Sequence, residues 1–262
     1  MPKHLSRPLS LAIGLLVCAF ALPHRAWAQT DEIQVYDGGL AAPRTLNLTL
    51  HTNFTAKGAR EPAFPGAVVA DKSFNGVPEW AYGVTNWFEA GLYLPLYSRD
   101  KHSGWGVDGF KLRTLFAVPN ADDRTFFYGV NIEYSVNAKR WDTTRFTSEI
   151  RPIVGWHLAP SHSIVNPILD TAYDGVKNLV FAPSTRVAYN VSKIWAVAVE
   201  EYADFGPVRK FHPAGEQSHQ LYGVVDYNGK AFGIEAGIGA GLTSASDKLT
   251  FKVILSKDLK GF

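Results

Sequence analysis

Cysteine is almost absent from this 262-residue chain. The single cysteine, Cys18, lies in an apolar run over residues 9–22, which follows two basic residues and precedes an Ala-Trp-Ala triplet at 26–28. This pattern predicts a secretory signal peptide at residues 1–28, and the mature chain would then contain no cysteine. An exported chain without a disulfide must be stabilised by burial or by a membrane, which favours the envelope of a bacterium.

Long apolar runs are also absent after the predicted signal peptide. No stretch of 18 apolar residues remains in residues 29–262, so we expect no transmembrane helix there. A closed β-barrel stays possible, because helices and closed barrels are the structures that satisfy all backbone hydrogen bonds in lipid. The formal charge of +2 and the lack of a basic cluster with interleaved aromatic residues argue against nucleic acid as a partner.

Motifs for catalysis and cofactor binding are scarce. The sequence contains no His-Glu-x-x-His, no Gly-x-Ser-x-Gly and no phosphate-binding loop, so we expect no enzyme activity, no cofactor and no metal site. The glycines of GIGAGL, residues 237–242, lie in an alternating segment and are better explained as room inside a barrel. Ser161, His162 and Ser163 resemble a nucleophile with its base, but no third group orients them.

Alternation of large apolar side chains with small or polar ones is the dominant pattern that is present. In TFFYGVNIEYSVN, residues 125–137, large side chains occupy the even positions from 126 to 136 and mostly small or polar ones occupy the odd positions. Because a strand has a side-chain period of two, one face of this strand is apolar. Its length suits a strand that crosses a bilayer at a tilt, which needs about 9 to 11 residues.

The same alternation recurs in twelve segments, with short connections between some pairs and longer connections between others. Asn228-Gly229 gives the strongest hairpin signal. The sequence therefore predicts an all-β fold, a closed antiparallel transmembrane β-barrel of about 12 strands, as one domain over residues 29–262. The predicted strands are 44–56, 79–84, 88–96, 109–118, 125–137, 145–158, 163–172, 179–189, 194–205, 219–227, 230–242 and 248–256.

Three residues interrupt the strand pattern. Pro152 and Pro167 each remove a ladder hydrogen bond from adjacent predicted strands, and bulges are one way to accommodate them. Lys257 breaks the phase of the last strand, which predicts a short tail after Ser256. A soluble β-sandwich is the alternative fold, but the second face of the strands carries mainly small residues instead of the Lys and Glu typical of a soluble sheet.

Four stretches carry a resemblance to known proteins: DEIQVYD after the signal peptide, EWAYGVTNWFEAGLYLPL, NPILD and EEYADFG. They resemble a family of proteobacterial outer-membrane β-barrel proteins that are mostly uncharacterised. The resemblance covers most of the mature chain and implies the barrel fold. Such a barrel is expected in the bacterial outer membrane after export through the inner membrane, with outer-membrane lipid, periplasmic chaperones and the barrel-assembly machinery as partners.

Charges of both signs lie on the predicted inner faces. They can pair across the lumen and brace it, or they can form a surface that selects small solutes, since lumen charges tune which solutes pass. Glu133 is expected at a height similar to that of Lys111 and Arg151 on the neighbouring strands. The candidate network is Glu89, Lys111, Arg113, Glu133, Glu149, Arg151, Arg186, Glu200 and Glu235.

These patterns favour a narrow passive channel or transporter for small solutes. Two alternatives stay open. The first is an outer-membrane enzyme that acts on lipid or peptide, and the second is a structural or surface-interaction barrel with a closed lumen. Trp105 and Trp141, in predicted loops, could stack on a sugar or simply pack the loops.

Overall fold

The computed structural model describes residues 31–259, and the predicted signal peptide lies outside the described residues. None of the described helices is long and apolar enough to cross a membrane. The described elements are β1 (Leu46–Lys57), β2 (Ser73–Gly83), β3 (Phe88–Asp100), β4 (Gly104–Ala117), β5 (Phe126–Asn137), β6 (Phe146–Leu158), β7 (Ser161–Asn166), β8 (Leu169–Thr171), β9 (Val180–Phe181), β10 (Ser184–Asn190), β11 (Trp195–Asp204), β12 (Ser218–Asn228), β13 (Gly233–Gly241) and β14 (Leu249–Leu259), with 3-10 turns at Ala121–Asp123 and Val176–Asn178.

The fourteen segments form one antiparallel sheet that closes on itself. β1 pairs with β14, and β5 pairs with β6, so the sheet has no free edge between its first and last strands. β7 and β8 together make one barrel strand, and β9 and β10 make the next, which gives twelve strands. The predicted closed antiparallel barrel of 12 strands is confirmed.

The connections distinguish the two ends of the barrel. The short-turn end carries residues 84–87, 118–125, 159–160, 191–194 and 229–232, and the chain enters β1 and completes β14 there. The long-loop end carries residues 58–72, 101–103, 138–145, 172–179, 205–217 and 242–248. The predicted strands 88–96 and 109–118 leave a connection that is too long, because β3 and β4 continue to a tight turn at residues 101–103.

The outer face of the barrel is apolar and the inner face is polar. On β5, Tyr128 and Tyr134 are 57% and 48% exposed, whereas Glu133 is 1% exposed. On β1, Leu50 is exposed and its neighbour His51 is buried. Exposed aromatic side chains lie toward both ends of the wall, with exposed aliphatic side chains between them, which is the arrangement of a barrel that faces lipid.

Pro152 and Pro167 share a single gap in the ladder instead of two bulges. Ile150 pairs with Leu169 and Val154 pairs with Val165, and counting inward from both pairs places the two prolines opposite each other. Because neither proline has an N–H to donate, placing them face to face confines the lost ladder bonds to one site without a shift of register.

The last strand continues beyond the predicted tail boundary. Lys257, Asp258 and Leu259 remain paired with β1, with Leu259 opposite Leu46. Lys257 is exposed, so the cation sits on the outward face at the short-turn end, where a long side chain reaches the interface instead of lipid. The tail predicted after Ser256 was therefore wrong for these residues, and residues 260–262 lie outside the described part of the chain.

Candidate functional site in the barrel lumen

Residues 31–43, the N-terminal segment, lie inside the barrel and form no strand of its wall. Asp31, Ile33 and Tyr36 are 5%, 5% and 6% exposed. A segment directly before β1 can be buried this deeply only if the barrel encloses it. The lumen of this protein is therefore filled in part by its own chain.

The N-terminal segment enters from the short-turn end and runs toward the long-loop end. Near the short-turn end, Ala41 N donates to Glu89 Oε2 (2.5 Å), and Arg44 N donates to the carbonyl of Gly83 (2.7 Å). At the other end of the segment, Asn53 Nδ2 donates to the carbonyl of Asp31 (3.0 Å). Side chains of the barrel wall thus form hydrogen bonds with backbone groups of the segment, which have no partner in a neighbouring strand.

Asn166 holds the middle of the segment with two hydrogen bonds. Its Oδ1 accepts from Tyr36 N (2.8 Å), and its Nδ2 donates to the Tyr36 carbonyl (3.0 Å). The Asn166 side chain is fully buried and directly precedes Pro167 in the ladder gap. The Asn166 side chain therefore pairs with both backbone groups of Tyr36, as the backbone of a neighbouring strand would.

Apolar side chains of the segment pack against the inner wall. Val35 and Tyr36 belong to a buried cluster with Leu115, Phe127 and Ile153. On the opposite side, Ile33 packs with a second cluster made by Ala188, Ala198, Tyr222 and Val224. These two clusters fill the space between the N-terminal segment and the barrel wall at the level of residues 33–36.

The first group of predicted lumen charges surrounds the segment on β1–β6. Arg113 bridges Glu79 (2.9 Å) and Glu89, and Glu79 also contacts His51 Nε2 (3.0 Å). Tyr36 and Tyr93 meet through their hydroxyl groups beside this bridge. Because all these side chains are buried, each charge needs its partner to offset the cost of leaving water.

The next charges on these strands bind the segment itself. Lys111 Nζ bridges Asp31 (2.9 Å) and Glu133 (3.2 Å). The Arg151 guanidinium bridges Glu149 (2.6 Å) and Glu32 (3.3 Å) and lies 4.4 Å from the centre of the Tyr36 ring. Glu133 therefore pairs with Lys111. Arg151 pairs with Glu149 and with Glu32, and Glu32 lies outside the predicted strands.

The second group of predicted charges lies on β10–β14. Arg186 contacts Glu200, Asp226 and Glu235, the last at 3.2 Å. Lys252 contacts Glu200 and Glu235 (2.5 Å) and donates to the Ile33 carbonyl (3.1 Å). All nine predicted site residues therefore line the lumen in two groups of ion pairs, one on each side of the N-terminal segment. Whether they also select solutes stays a prediction.

Above the segment, the lumen contains a cavity of about 540 Å³ on the side of the long loops. Asp31, Glu32, Ile33 and Gln34 lie along its floor, and its rim includes Trp141 together with other loop residues. No residue of a short turn lines it. The N-terminal segment therefore closes this lumen cavity toward the short-turn end.

The loops at the mouth of the cavity are packed together by buried polar groups. Burial raises the pKa of Asp247, opposed by the hydrogen bond that its Oδ1 accepts from Ala59 N (3.1 Å) and reinforced by the Asp71 carboxylate. Val68, 2% exposed, donates through its backbone N to the Arg140 carbonyl (3.0 Å). The loops at the mouth of the cavity are thus held together by hydrogen bonds between them.

The sequence patterns missed the role of DEIQVYD. This stretch carries part of the resemblance to outer-membrane barrels, but the strand pattern predicts no place for it in the fold. The available signal was the pair of acidic residues Asp31 and Glu32 in front of alternating apolar residues, in a chain whose predicted lumen carried cations such as Lys111 and Arg151. A segment that offers carboxylates to those cations is a candidate for the lumen.

The serine and histidine near the turn at 159–160 are not joined into a catalytic group. Ser161 and His162 lie on β7 at the short-turn end, and the rings of His157 and His162 are 5.9 Å apart. Among the described residues, no carboxylate forms an ion pair with His162. Trp105 is 65% exposed, whereas Trp141 lines the lumen cavity.

No protein-family model and no curated protein matches the chain. Solved structures do match. An outer-membrane channel from Pseudomonas putida F1 is similar with a TM-score of 0.58 and 11% identity, over 87% of this chain and 100% of that one. The NanC porin is similar with a TM-score of 0.53 and 9% identity, over 82% of this chain and 100% of the porin.

The chain has the fold of an outer-membrane barrel. At 11% and 9% identity, the similarity to the channel and the porin concerns the fold and not the solute or the mechanism. It agrees with the resemblance to outer-membrane barrel proteins drawn from the sequence. The proteobacterial origin stays a prediction.

Proposed function

We propose that this protein is a narrow, passive outer-membrane channel for small solutes, in which the N-terminal segment forms the internal barrier. The observation that carries the proposal is the lumen cavity of about 540 Å³, which ends on residues 31–34 and not on the barrel wall. Because the N-terminal segment separates this cavity from the short-turn end, displacement of the segment together with the side chains packed against it would open a path through the lumen.

The number of strands makes such a barrier physically reasonable. Barrels of about 8 strands are filled by their own side chains, whereas barrels of about 16 to 18 leave an aqueous channel. Twelve strands lie between these sizes and leave room for one extended segment. Because the segment is held by hydrogen bonds, ion pairs and apolar contacts, its displacement breaks no covalent bond.

The proposed location is the outer membrane, with the short-turn end in the periplasm and the long-loop end outside. This orientation follows the arrangement of bacterial barrels, whose periplasmic turns are short and whose external loops are long. The lumen cavity then opens to the outside. Export through the inner membrane and assembly by periplasmic chaperones and the barrel-assembly machinery belong to the same proposal.

A structural barrel with a closed lumen is the second candidate. It is favoured by the apolar packing of Val35 and Tyr36 against Leu115, Phe127 and Ile153, since a segment that only had to move would gain little from such a core. The absence of catalysis is part of our proposal as well. It is supported by the separation of Ser161 and His162 from any orienting carboxylate among the described residues.

Recording of single channels in planar bilayers separates the two candidates. For the purified protein we expect brief openings of low conductance, because the N-terminal segment closes the lumen most of the time and leaves it occasionally. Heat-dependent mobility in a gel checks that the same sample contains folded barrel. A folded sample that never conducts would contradict the channel and favour the closed barrel.

A further inference from the structure

The lumen cavity has a strongly negative lining. Ten carboxylates and two cations line it. The two cations, Lys111 and Arg151, already bridge four of these carboxylates, which belong to Asp31, Glu32, Glu133 and Glu149. The remaining six have no cation within 4 Å among the described residues and are Glu61, Asp142, Asp170, Asp174, Asp204 and Asp247.

Of these six carboxylates, Asp170 has another carboxylate as its cross-strand neighbour. It lies on β8 directly opposite Glu149, and both side chains line the cavity. Like charges opposite each other on a sheet are unfavourable without a counter-charge. Arg151 is engaged by Glu149 and Glu32, and Asp204 adds a further carboxylate to the same lining. The cavity therefore presents a site of negative potential whose compensating charge the wall does not supply.

Buried acceptor atoms give an independent indication of the ligand. Asn75 is 5% exposed and lines the cavity, and its Oδ1 has no hydrogen-bond partner among residues 31–259. Glu32 is 4% exposed and forms part of the floor, and its Oε2 also lacks a hydrogen-bond partner there. Both atoms accept hydrogen bonds only, so they are complementary to a ligand rich in N–H donors.

We propose that the lumen cavity binds small organic cations that carry ammonium groups, and that such cations are the solutes of the channel. The part of this proposal that concerns transport rests on the proposed channel function, whereas the part that concerns binding does not. An ammonium group supplies three donors and a positive charge, which matches the orphan acceptors Asn75 Oδ1 and Glu32 Oε2 and the unpaired Asp170.

The shape of the site favours an extended organic cation over a single metal ion. A metal ion gathers its oxygen ligands within about 2.3 to 2.6 Å, as for calcium. Here Asp170 lies on β8, Asp204 at the end of β11 and Asn75 on β2, across a cavity of about 540 Å³. Trp141 also lines the cavity, and an indole ring can bind a cation on its face.

Isothermal titration with spermidine tests the proposal on the purified protein in a nonionic detergent at low salt. We expect one site per chain, and we expect the double variant Asp170→Asn/Asp204→Asn to bind spermidine about tenfold more weakly, which corresponds to about 1.4 kcal/mol. The matched control is Asp123→Asn/Glu216→Gln, which removes two exposed carboxylates outside the cavity and should leave binding unchanged. Tricarballylate serves as the anionic probe, and calcium as the metal probe.

Three results would overturn the cation proposal: no heat from spermidine, equal weakening in both double variants, or binding of tricarballylate or calcium in place of spermidine. Heat-dependent gel mobility shows whether each variant is folded. Single-channel recording on the same samples keeps the two proposals apart. A conducting protein that ignores spermidine refutes the cation proposal alone, and a protein that binds spermidine without conducting refutes the channel alone.

Discussion

Lys252 illustrates how one residue can join the barrel wall to the segment inside it. Its ammonium group contacts Glu200 and Glu235 on two other strands and donates to the Ile33 carbonyl (3.1 Å). The side chain is fully buried. The ammonium therefore neutralises two carboxylates and satisfies one backbone acceptor of the N-terminal segment at the same time.

Replacing this cation should be costly for stability. For Lys252→Met we expect a loss of about 3 to 5 kcal/mol, because removing one partner of a buried ion pair leaves uncompensated charge. The midpoint of denaturant unfolding in lipid vesicles measures the effect. The control Lys248→Met removes an exposed cation in the neighbouring loop and should change the midpoint little. Equal midpoints for the two variants would show that the lumen network does not stabilise the fold.

The inward position of residues such as Lys252 and Glu133 could be predicted from the sequence, because a period of two assigns every strand residue to a face. The identity of their partners could not. Arg151 binds Glu32, which is 119 positions away, and Lys252 binds the Ile33 carbonyl, which is 219 positions away. No local pattern specifies contacts that depend on how a separate segment enters the lumen.

At the scale of single elements, the strands were predictable because two signals agreed. Apolar alternation set the faces, and turn residues such as Asn228-Gly229 set the connections. The interrupted strands were the exception. Pro152 and Pro167 predicted a disturbance in each strand, but the cross-strand register that places them opposite each other is a property of the pair.

The assignment of faces on β5 can be tested with charge substitutions on the outward side. Ile132→Arg should cost about 2 to 4 kcal/mol, because it places a cation near the middle of the apolar band. Tyr134→Arg, two residues nearer the long-loop end on the same face, should cost less than Ile132→Arg because the cost falls as the cation approaches the interface. Unfolding in lipid vesicles measures both, and a harmless Ile132→Arg would mean that this face does not meet lipid.

At the scale of the whole molecule, the barrel and its N-terminal segment form one interdependent structure. The two groups of ion pairs lie on opposite sides of the segment, and each contributes a contact to it, from Arg151 to Glu32 and from Lys252 to Ile33. The closed wall was predictable from the strand count and the alternation. The filled lumen was not, because the sequence patterns of a barrel describe the wall and say nothing about what the wall encloses.

The N-terminal segment occupies the lumen, and we propose that it controls passage through it. Gly38 and Ala121 offer a direct test, because a Cβ at position 38 would lie 3.7 Å from the Cβ of Ala121, within the range of a disulfide. The mature chain is predicted to lack cysteine, so a Gly38→Cys/Ala121→Cys variant would form a single defined bond. Gly38 has a φ of 77°, and the single variant Gly38→Cys therefore controls for strain at that position.

The decisive measurement is the single-channel conductance of this double variant before and after reduction in the same bilayer. We expect the disulfide to form under oxidising conditions and to abolish the openings, because a tethered segment cannot leave the lumen, and we expect reduction to restore the openings to the level of Gly38→Cys. A pair that stays reduced in the folded barrel, or a conductance that reduction does not change, would show that the segment does not control passage.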